Sequence, residues 1–366
     1  MQVSHILSLA AGAALAGGIA VGPVPAMSTG SATAALDIRL ASGDIQDGAV
    51  QDVVIDFVRH AQMTPPYDLL LTPSPDHPGA PLSDLGHEQA HDIGQQLFSQ
   101  LGPVAGIFAG QGVRVQQTAV PFADLEGTGG SPADVQVLPG LNEVDSGVYA
   151  LDPIESLGGR LAFLTVAGWT FGAPLGLALV QGPGSHDING IVMNDRFDDA
   201  VQTMYDHALD SGVVSDNGQL TDVAFSSTAS IFTWVMQNVD NPDLSFFLNL
   251  LKESHSVPNG QTTIFLPNTA VVEVEGNPTD GWTLVSWDGH AIPADPGLLT
   301  DLFVDVRDVM LPVQEAYWAV HQAVLSSDPD AITTAIHTGF SEVSSALTQF
   351  PGAVFNHIAD AFGNLG

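Results

Sequence analysis

The run Val53-Val54-Ile55-Asp56-Phe57-Val58 constrains the fold more than any other stretch of this chain. Apart from Asp56 it is apolar, mostly β-branched, and flanked by polar residues, which suits a short strand covered on both faces. Such a strand belongs in a parallel sheet between layers of helix. The neighbouring segments agree: 104–109 and 135–138 read as further short strands and 223–225 as the end of another, whereas 85–101, 195–209 and 227–239 carry helical spacing. Strands alternating with helices predict an α/β three-layer sandwich with a mainly parallel central sheet. From 298 to 362 the pattern turns largely helical. Leu302, Val306, Met310, Val313, Tyr317 and Val320 form its apolar spacing, and Pro312 is expected to start or kink a helix. This predicts a helical C-terminal extension over 294–366, after an α/β domain over 52–293.

Ahead of that domain, the sequence from His5 reads HILSLAAGAALAGGIAVG, followed by Pro23, Pro25 and a Ser/Thr/Ala-rich stretch. An apolar run leading into small residues is the order of a secretory signal, and 24–26 and 32–34 both offer A-x-A-like cleavage sites. A signal and processing segment over 1–34 and a linker over 35–51 are therefore expected, with export by a general secretory route, because no twin-arginine pair is present. The Gly and Ala content makes the run a poor membrane anchor, so no stable membrane insertion is expected after its removal. Without cysteine, the chain can form no disulfide and cannot use a cysteine nucleophile.

A formal charge of −34 with only seven Lys plus Arg argues against nucleic acid and anionic membrane surfaces as partners. Any anion site must draw on Arg39, Arg59, Arg114, Arg160, Arg196, Lys252 and Arg307. In an open parallel sheet ligands bind beyond the carboxyl ends of the strands. The first strand runs directly into Arg59-His60-Ala61-Gln62. A guanidinium there can grip a phosphate through paired hydrogen bonds, and a neutral imidazole can attack phosphorus.

At these residues the sequence resembles the histidine phosphatase superfamily, which includes the phosphoglycerate mutases. Asp56-Phe57-Val58-Arg59-His60-Ala61 is similar to its strand plus RHG motif, with Ala in the Gly position. The segment 81–90, PLSDLGHEQA, resembles its PLTxLGxxQA, and Gly112-Val113-Arg114-Val115-Gln116-Gln117-Thr118-Ala119 resembles the end of its SxxxRxxQTA. Leu141-Asn142-Glu143 with Gly147 resembles LNExxxG, and 266–284 resembles the closing strands. The resemblance implies that His60 is the nucleophile, that Arg59 and Arg114 clamp the phosphate, and that Glu143 donates a proton to the leaving oxygen, with Asp145 as the alternative donor. It implies a small phosphorylated substrate and a reaction without a cofactor or metal.

One departure bears on activity. The family's second catalytic histidine, in a VxHG context, falls in 222–231, DVAFSSTASI, where Ser226 takes the histidine position. A hydroxyl can hold a phosphate oxygen but brings no positive charge, and losing one such donor costs on the order of 10²–10³ in rate. His186 and His255 are the alternative imidazoles. Two functions are open to such a site: an exported phosphomonoesterase with weakened turnover, or a pseudophosphatase that holds an anionic ligand or an envelope partner. A third comes from His87, Glu88 and His91, which spell the zinc-peptidase pattern HExxH. The third ligand of its longer form falls at Leu97, which cannot bind zinc. The helix over 85–101 instead predicts an inward stripe of Ala90, Ile93, Leu97 and Leu101, with Gly94 permitting close packing and both histidines on its shoulder.

Overall fold

The apolar run becomes β1 (Val53–Arg59), buried along its first six residues. In the computed structural model β1 pairs in parallel with β4 (Thr221–Ser226), and β2 (Gly106–Ala109) and β3 (Val135–Val137) continue that parallel half. On its other edge β1 pairs antiparallel with β7 (Val271–Asn277), followed by β8 (Gly281–Trp287) and β9 (His290–Ala291). The order is β3-β2-β4-β1-β7-β8-β9, so the expected parallel core carries an antiparallel flank. A separate two-stranded ribbon joins β5 (His255–Ser256) to β6 (Thr262–Thr263). The structure describes residues 51–65, 79–127, 133–253, 255–256, 262–263 and 265–363; the expected signal segment, and the expected linker up to residue 50, lie outside them.

Alternate residues of β1 feed two cores, as period-two geometry requires. Val53, Ile55 and Phe57 join Phe197 and Trp234, whose helices α4 (Gly190–Ser211) and α5 (Thr228–Asn238) cover that face. Phe57, Phe197 and Trp234 form a three-ring cluster with centroids 5.4–5.7 Å apart. Val58 joins Ile93, Leu97 and Phe122 on the opposite face, under α1 (Asp84–Leu101) and α2 (Val113–Glu126). The expected stripe of α1 is buried, and Gly94 is needed there, because a Cβ would stand 2.9 Å from the backbone nitrogen of Phe122. Helices α3 (Leu157–Phe171) and α6 (Leu244–Glu253) complete the α/β part.

The C-terminal extension is a pair of long helices, α7 (Leu298–Ser326) and α8 (Pro329–Gly363). Pro312 lies inside α7, not at its start, and Val313 and Tyr317 of the expected apolar spacing are exposed. The buried positions of α7 include Val304, Arg307, Leu311 and Gln314. Apolar periodicity misses this face because two of its anchors are polar. Arg307 Nη1 donates to Val239 O at 2.7 Å, and Gln314 both donates to Ala173 O at 2.9 Å and accepts from Ala178 N at 3.0 Å. Among the described residues no helix is long and apolar enough to cross a membrane.

Several carboxyl groups are buried without a cation. Asp222, fully buried in β4, has no hydrogen-bond partner on either oxygen, and burial raises its pKa from 3.8 to about 8. Asp56 in β1 is raised to about 7, by burial and then by Glu273. Between pH 3.8 and about 8 the unfolded chain releases the Asp222 proton while the folded chain keeps it, so stability falls as pH rises through that window. Each such group contributes a slope of about 1.4 kcal/mol per pH unit. Urea unfolding between pH 5 and 7.5 should show this decline, and Asp222→Asn should flatten it by about that amount. An unchanged slope in the variant would refute the assignment.

Candidate active site

The parallel strands β1 and β4 end side by side, with Arg59 opposite Ser226 and His60 N donating to Ser226 O at 3.0 Å. This brings the residues after β1 to the place where α2 and α5 begin. His60 is 5% exposed. Its Nδ1 lies 2.8 Å from Ala61 O, and a carbonyl can only accept, so Nδ1 carries the proton and Nε2 presents its lone pair. That lone pair accepts from Arg114 Nε at 3.0 Å. Burial, and then the charges of Arg114 and Arg59, hold the imidazole pKa well below 6.5, so the ring is neutral and nucleophilic.

The motif residues hold this loop in place. Ala61 N donates to Thr118 Oγ1 at 3.0 Å, and Thr118 in turn donates to Arg114 O at 2.6 Å. Gln62 N reaches Gln89 Oε1 at 2.9 Å, and Leu82 N reaches Gln117 Oε1 at 2.8 Å. Ser83 caps α1 by accepting from Gly86 N at 3.0 Å. At Gly86 a Cβ would stand 2.0 Å from Gln62 O, so only glycine lets α1 approach the loop this closely. On the far side Asn268 donates to His60 O at 2.7 Å and Thr269 N to Arg59 O at 3.1 Å. Thr269 does so at φ 61°, a strained conformation for a β-branched residue.

Arg114 and Glu143 stand close together, and the charges of both act on Arg59. Arg114 Nη2 stands 3.7 Å from Glu143 Oε2, and Arg59 Nη1 donates to Leu266 O. Arg59 Nε and Arg114 Nη1 are buried donors with no partner. Burial pushes Arg59 down to about 10, with Glu143 opposing, and it lowers Arg114 in the same way; both remain cations at neutral pH. Two guanidinium groups with donors to spare beside a neutral imidazole are equipped to take a tetrahedral anion.

Glu143 owes its place to residues that motif reading passed over. Arg196 donates to Gly140 O at 2.6 Å, Asn142 O at 3.1 Å and Glu143 O at 3.3 Å, while Asp187 pairs with its Nε and, at 2.9 Å, with its Nη2. Ser226 Oγ donates to Leu141 O and Ser230 Oγ to Asn142 O, both at 2.7 Å. Asn142 closes the ring by accepting from Gln111 N at 2.7 Å. The scarcity of cations was the available signal for Arg196.

The other candidates fall outside this cluster. Burial works to raise the pKa of Asp145, but hydrogen bonds from His186 and Gly147 outweigh it and hold the carboxyl below its ordinary value, which suits an anchor better than a proton donor. His186 is that anchor's partner at 2.7 Å, with a side chain 95% exposed. His255 lies in β5. His87, Glu88 and His91 are exposed on α1, and Leu97 is buried in the core at 2% exposure. Ser226 is buried beside Arg59, with its proton committed to Leu141.

Residues 55–161 match the model of the histidine phosphatase superfamily, branch 1. PE_PGRS11, a PE-PGRS family protein of Mycobacterium tuberculosis (strain ATCC 25618 / H37Rv), is 43% identical over 318 residues, covering 87% of this chain and 50% of that protein. The chain thus spans about half the length of this relative. Among solved structures, mycobacterial hydrolase 1 shares 17% identity at a TM-score of 0.45, over 66% of this chain and 100% of its own. The mycobacterial glucosyl-3-phosphoglycerate phosphatase shares 18% at a TM-score of 0.44, over 65% and 99%.

Arg196 holds three carbonyls and a buried carboxylate, so Arg196→Gln should leave Asp187 uncompensated. The expected cost is about 3 kcal/mol in urea unfolding. A loss below about 0.5 kcal/mol, the range of ordinary surface changes, would show that the clamp is dispensable.

Proposed function

We propose that this chain is an exported phosphomonoesterase that works through a phosphohistidine on His60. The observation that carries this reading is the neutral, buried imidazole whose Nε2 lone pair accepts from Arg114, with the charge of Arg59 also acting on the ring and an unpartnered donor left on each guanidinium. The apolar, Gly/Ala-rich N-terminal run supports export.

In the proposed reaction the phosphoryl group of a monoester is held by Arg59 and Arg114, and His60 Nε2 attacks phosphorus. The bond to the ester oxygen breaks, and that oxygen takes a proton from the Glu143 carboxyl. Arg114 Nε must exchange its bond to His60 for one to a phosphate oxygen, which frees the lone pair as the substrate arrives. The Nδ1–H keeps donating to Ala61 O and so supports the cationic ring of the intermediate. Water then attacks phosphorus and gives its proton to the Glu143 carboxylate. The P–N electrons return to Nε2, and orthophosphate departs.

A second reading, a pseudophosphatase that holds an anion without turnover, draws on the hydroxyl at Ser226 in place of an imidazole. Hydrolysis of an aryl phosphate separates the two. Turnover should fall on the order of 10³-fold or more in His60→Ala. Because the His60 pKa lies well below 6.5, the acid limb of kcat/KM should also lie below that pH. Wild-type and variant rates that are equal and negligible would favour the pseudophosphatase.

A further inference from the structure

Among the described residues only a dozen buried side-chain nitrogen and oxygen atoms lack a hydrogen-bond partner, and four of them gather around the end of β1. Two are Arg59 Nε and Arg114 Nη1. The other two are the hydroxyls of Ser227 and Thr228, which open α5. Resting on the phosphatase reading above, we propose that Ser227 and Thr228, and not Ser226, are the hydroxyls that bind the phosphoryl group opposite His60.

The register supports this choice. Arg59 pairs with Ser226 in the parallel ladder, and His60 N continues the ladder to Ser226 O at 3.0 Å, so the next residues across the two strands are His60 and Ser227. Ser227 is still extended, at φ −125° and ψ 153°, so the alternation of the pleat runs through it. Partners in a parallel pair project to the same face. Ser227 therefore shares the face of His60, while Ser226 shares that of Arg59 and spends its proton on Leu141 O.

Ser227 also fails at the job its position would otherwise explain. An N-cap serine ordinarily accepts from a backbone N–H of the first helical turn. Here the side chain makes no capping bond, although the residue is fully buried. The hydroxyl and the uncapped N–H groups of an eleven-residue helix are thus left together beside a neutral imidazole and two cations. Buried donors of this kind, grouped at a helix N-terminus, suit the equatorial oxygens of a phosphoryl group. They supply by dipole and hydrogen bond some of what a second imidazolium would supply by charge.

The test is binding of orthovanadate and of inorganic phosphate, measured by calorimetry on the full chain and on Ser227→Ala, Thr228→Val, Ser226→Ala and Arg114→Ala. Ser227→Ala and Thr228→Val should each weaken binding about tenfold or more, the usual loss for a hydrogen bond to a charged group. Because Ser227 makes no cap bond, its alanine variant should keep the wild-type melting temperature. Ser226→Ala should lower the melting temperature while leaving affinity within about twofold, a change smaller than one such hydrogen bond produces. Wild-type affinity in Ser227→Ala and Thr228→Val, with loss confined to Arg114→Ala, would overturn this assignment and leave the phosphatase site standing. Absence of anion binding in the wild-type chain would overturn both.

Discussion

The parallel pairing of β1 with β4 is the constraint on which the site depends. β1 has neighbours on both edges and cores on both faces, so its backbone is fixed in every direction until the ladder ends. The residues just past that end inherit the rigidity. His60 is held through its own N–H on Ser226 and its own carbonyl by Asn268, so its ring stands on a backbone with little freedom. In the proposed reaction a nucleophile that meets phosphorus in line would gain from such preorganisation, since phosphoryl transfer depends chiefly on positioning and charge.

How the chain spends its few cations is the second organising fact. Arg114 bonds His60 directly while the charge of the adjacent Arg59 acts on the same ring, Arg196 ties down 140–143, and Arg307 is buried against the end of α5. Of the described arginines only Arg160, paired with Glu155, is a surface ion pair. With a net charge of −34, long-range attraction cannot draw a phosphate to the protein, and salt screens fields beyond about 8–10 Å. Under the proposed function the local arrangement would do so instead. Two guanidinium groups near the end of β1 act inside that distance, where the acidic surface is largely screened.

Much of this was legible in the sequence, and the part that was not has a physical reason. β1 was legible because a strand buried on both faces must be apolar at nearly every position, and α1 because its stripe repeats at 3.6 residues. His60, Arg59, Arg114 and Glu143 were legible because each lies in a motif whose other members are the loop's hydrogen-bond partners. Arg196 and Asp187 were not: Arg196 grips mostly backbone carbonyls, and Asp187 pairs with Arg196 itself and with the backbone N–H of Asp145, so neither leaves a trace in side-chain spacing. The same holds for α7, whose buried face relies on Arg307 and Gln314 and so reads as surface. The placement of serines was the subtlest point, because Ser226 and Ser227 differ by one residue and sequence alone does not say which faces His60. Pleat alternation decides it, and a shift of one residue moves a side chain to the other face of the sheet.

The C-terminal extension then connects to the site through a single helix. α5 begins at Thr228, beside His60, and ends at Asn238; Arg307 of α7 donates to the carbonyls of Met236 at 3.4 Å and Val239 at 2.7 Å at that end. A guanidinium over the last carbonyls satisfies acceptors that the helix itself cannot, and its charge is favourable against the negative end of the helix dipole. The same helix is tied to α3 at mid-length through Thr233 and Thr170, whose hydroxyls lie 2.8 Å apart, and near its C-terminus through Gln237 on Trp169 O, also at 2.8 Å. Any displacement of α7 must therefore break a buried charged contact or carry α5 with it. Since the N-terminus of α5 lies at the ends of β1 and β4, the extension braces the candidate site from behind, and the packing of a region with no motif of its own bears on where His60 and Ser227 stand.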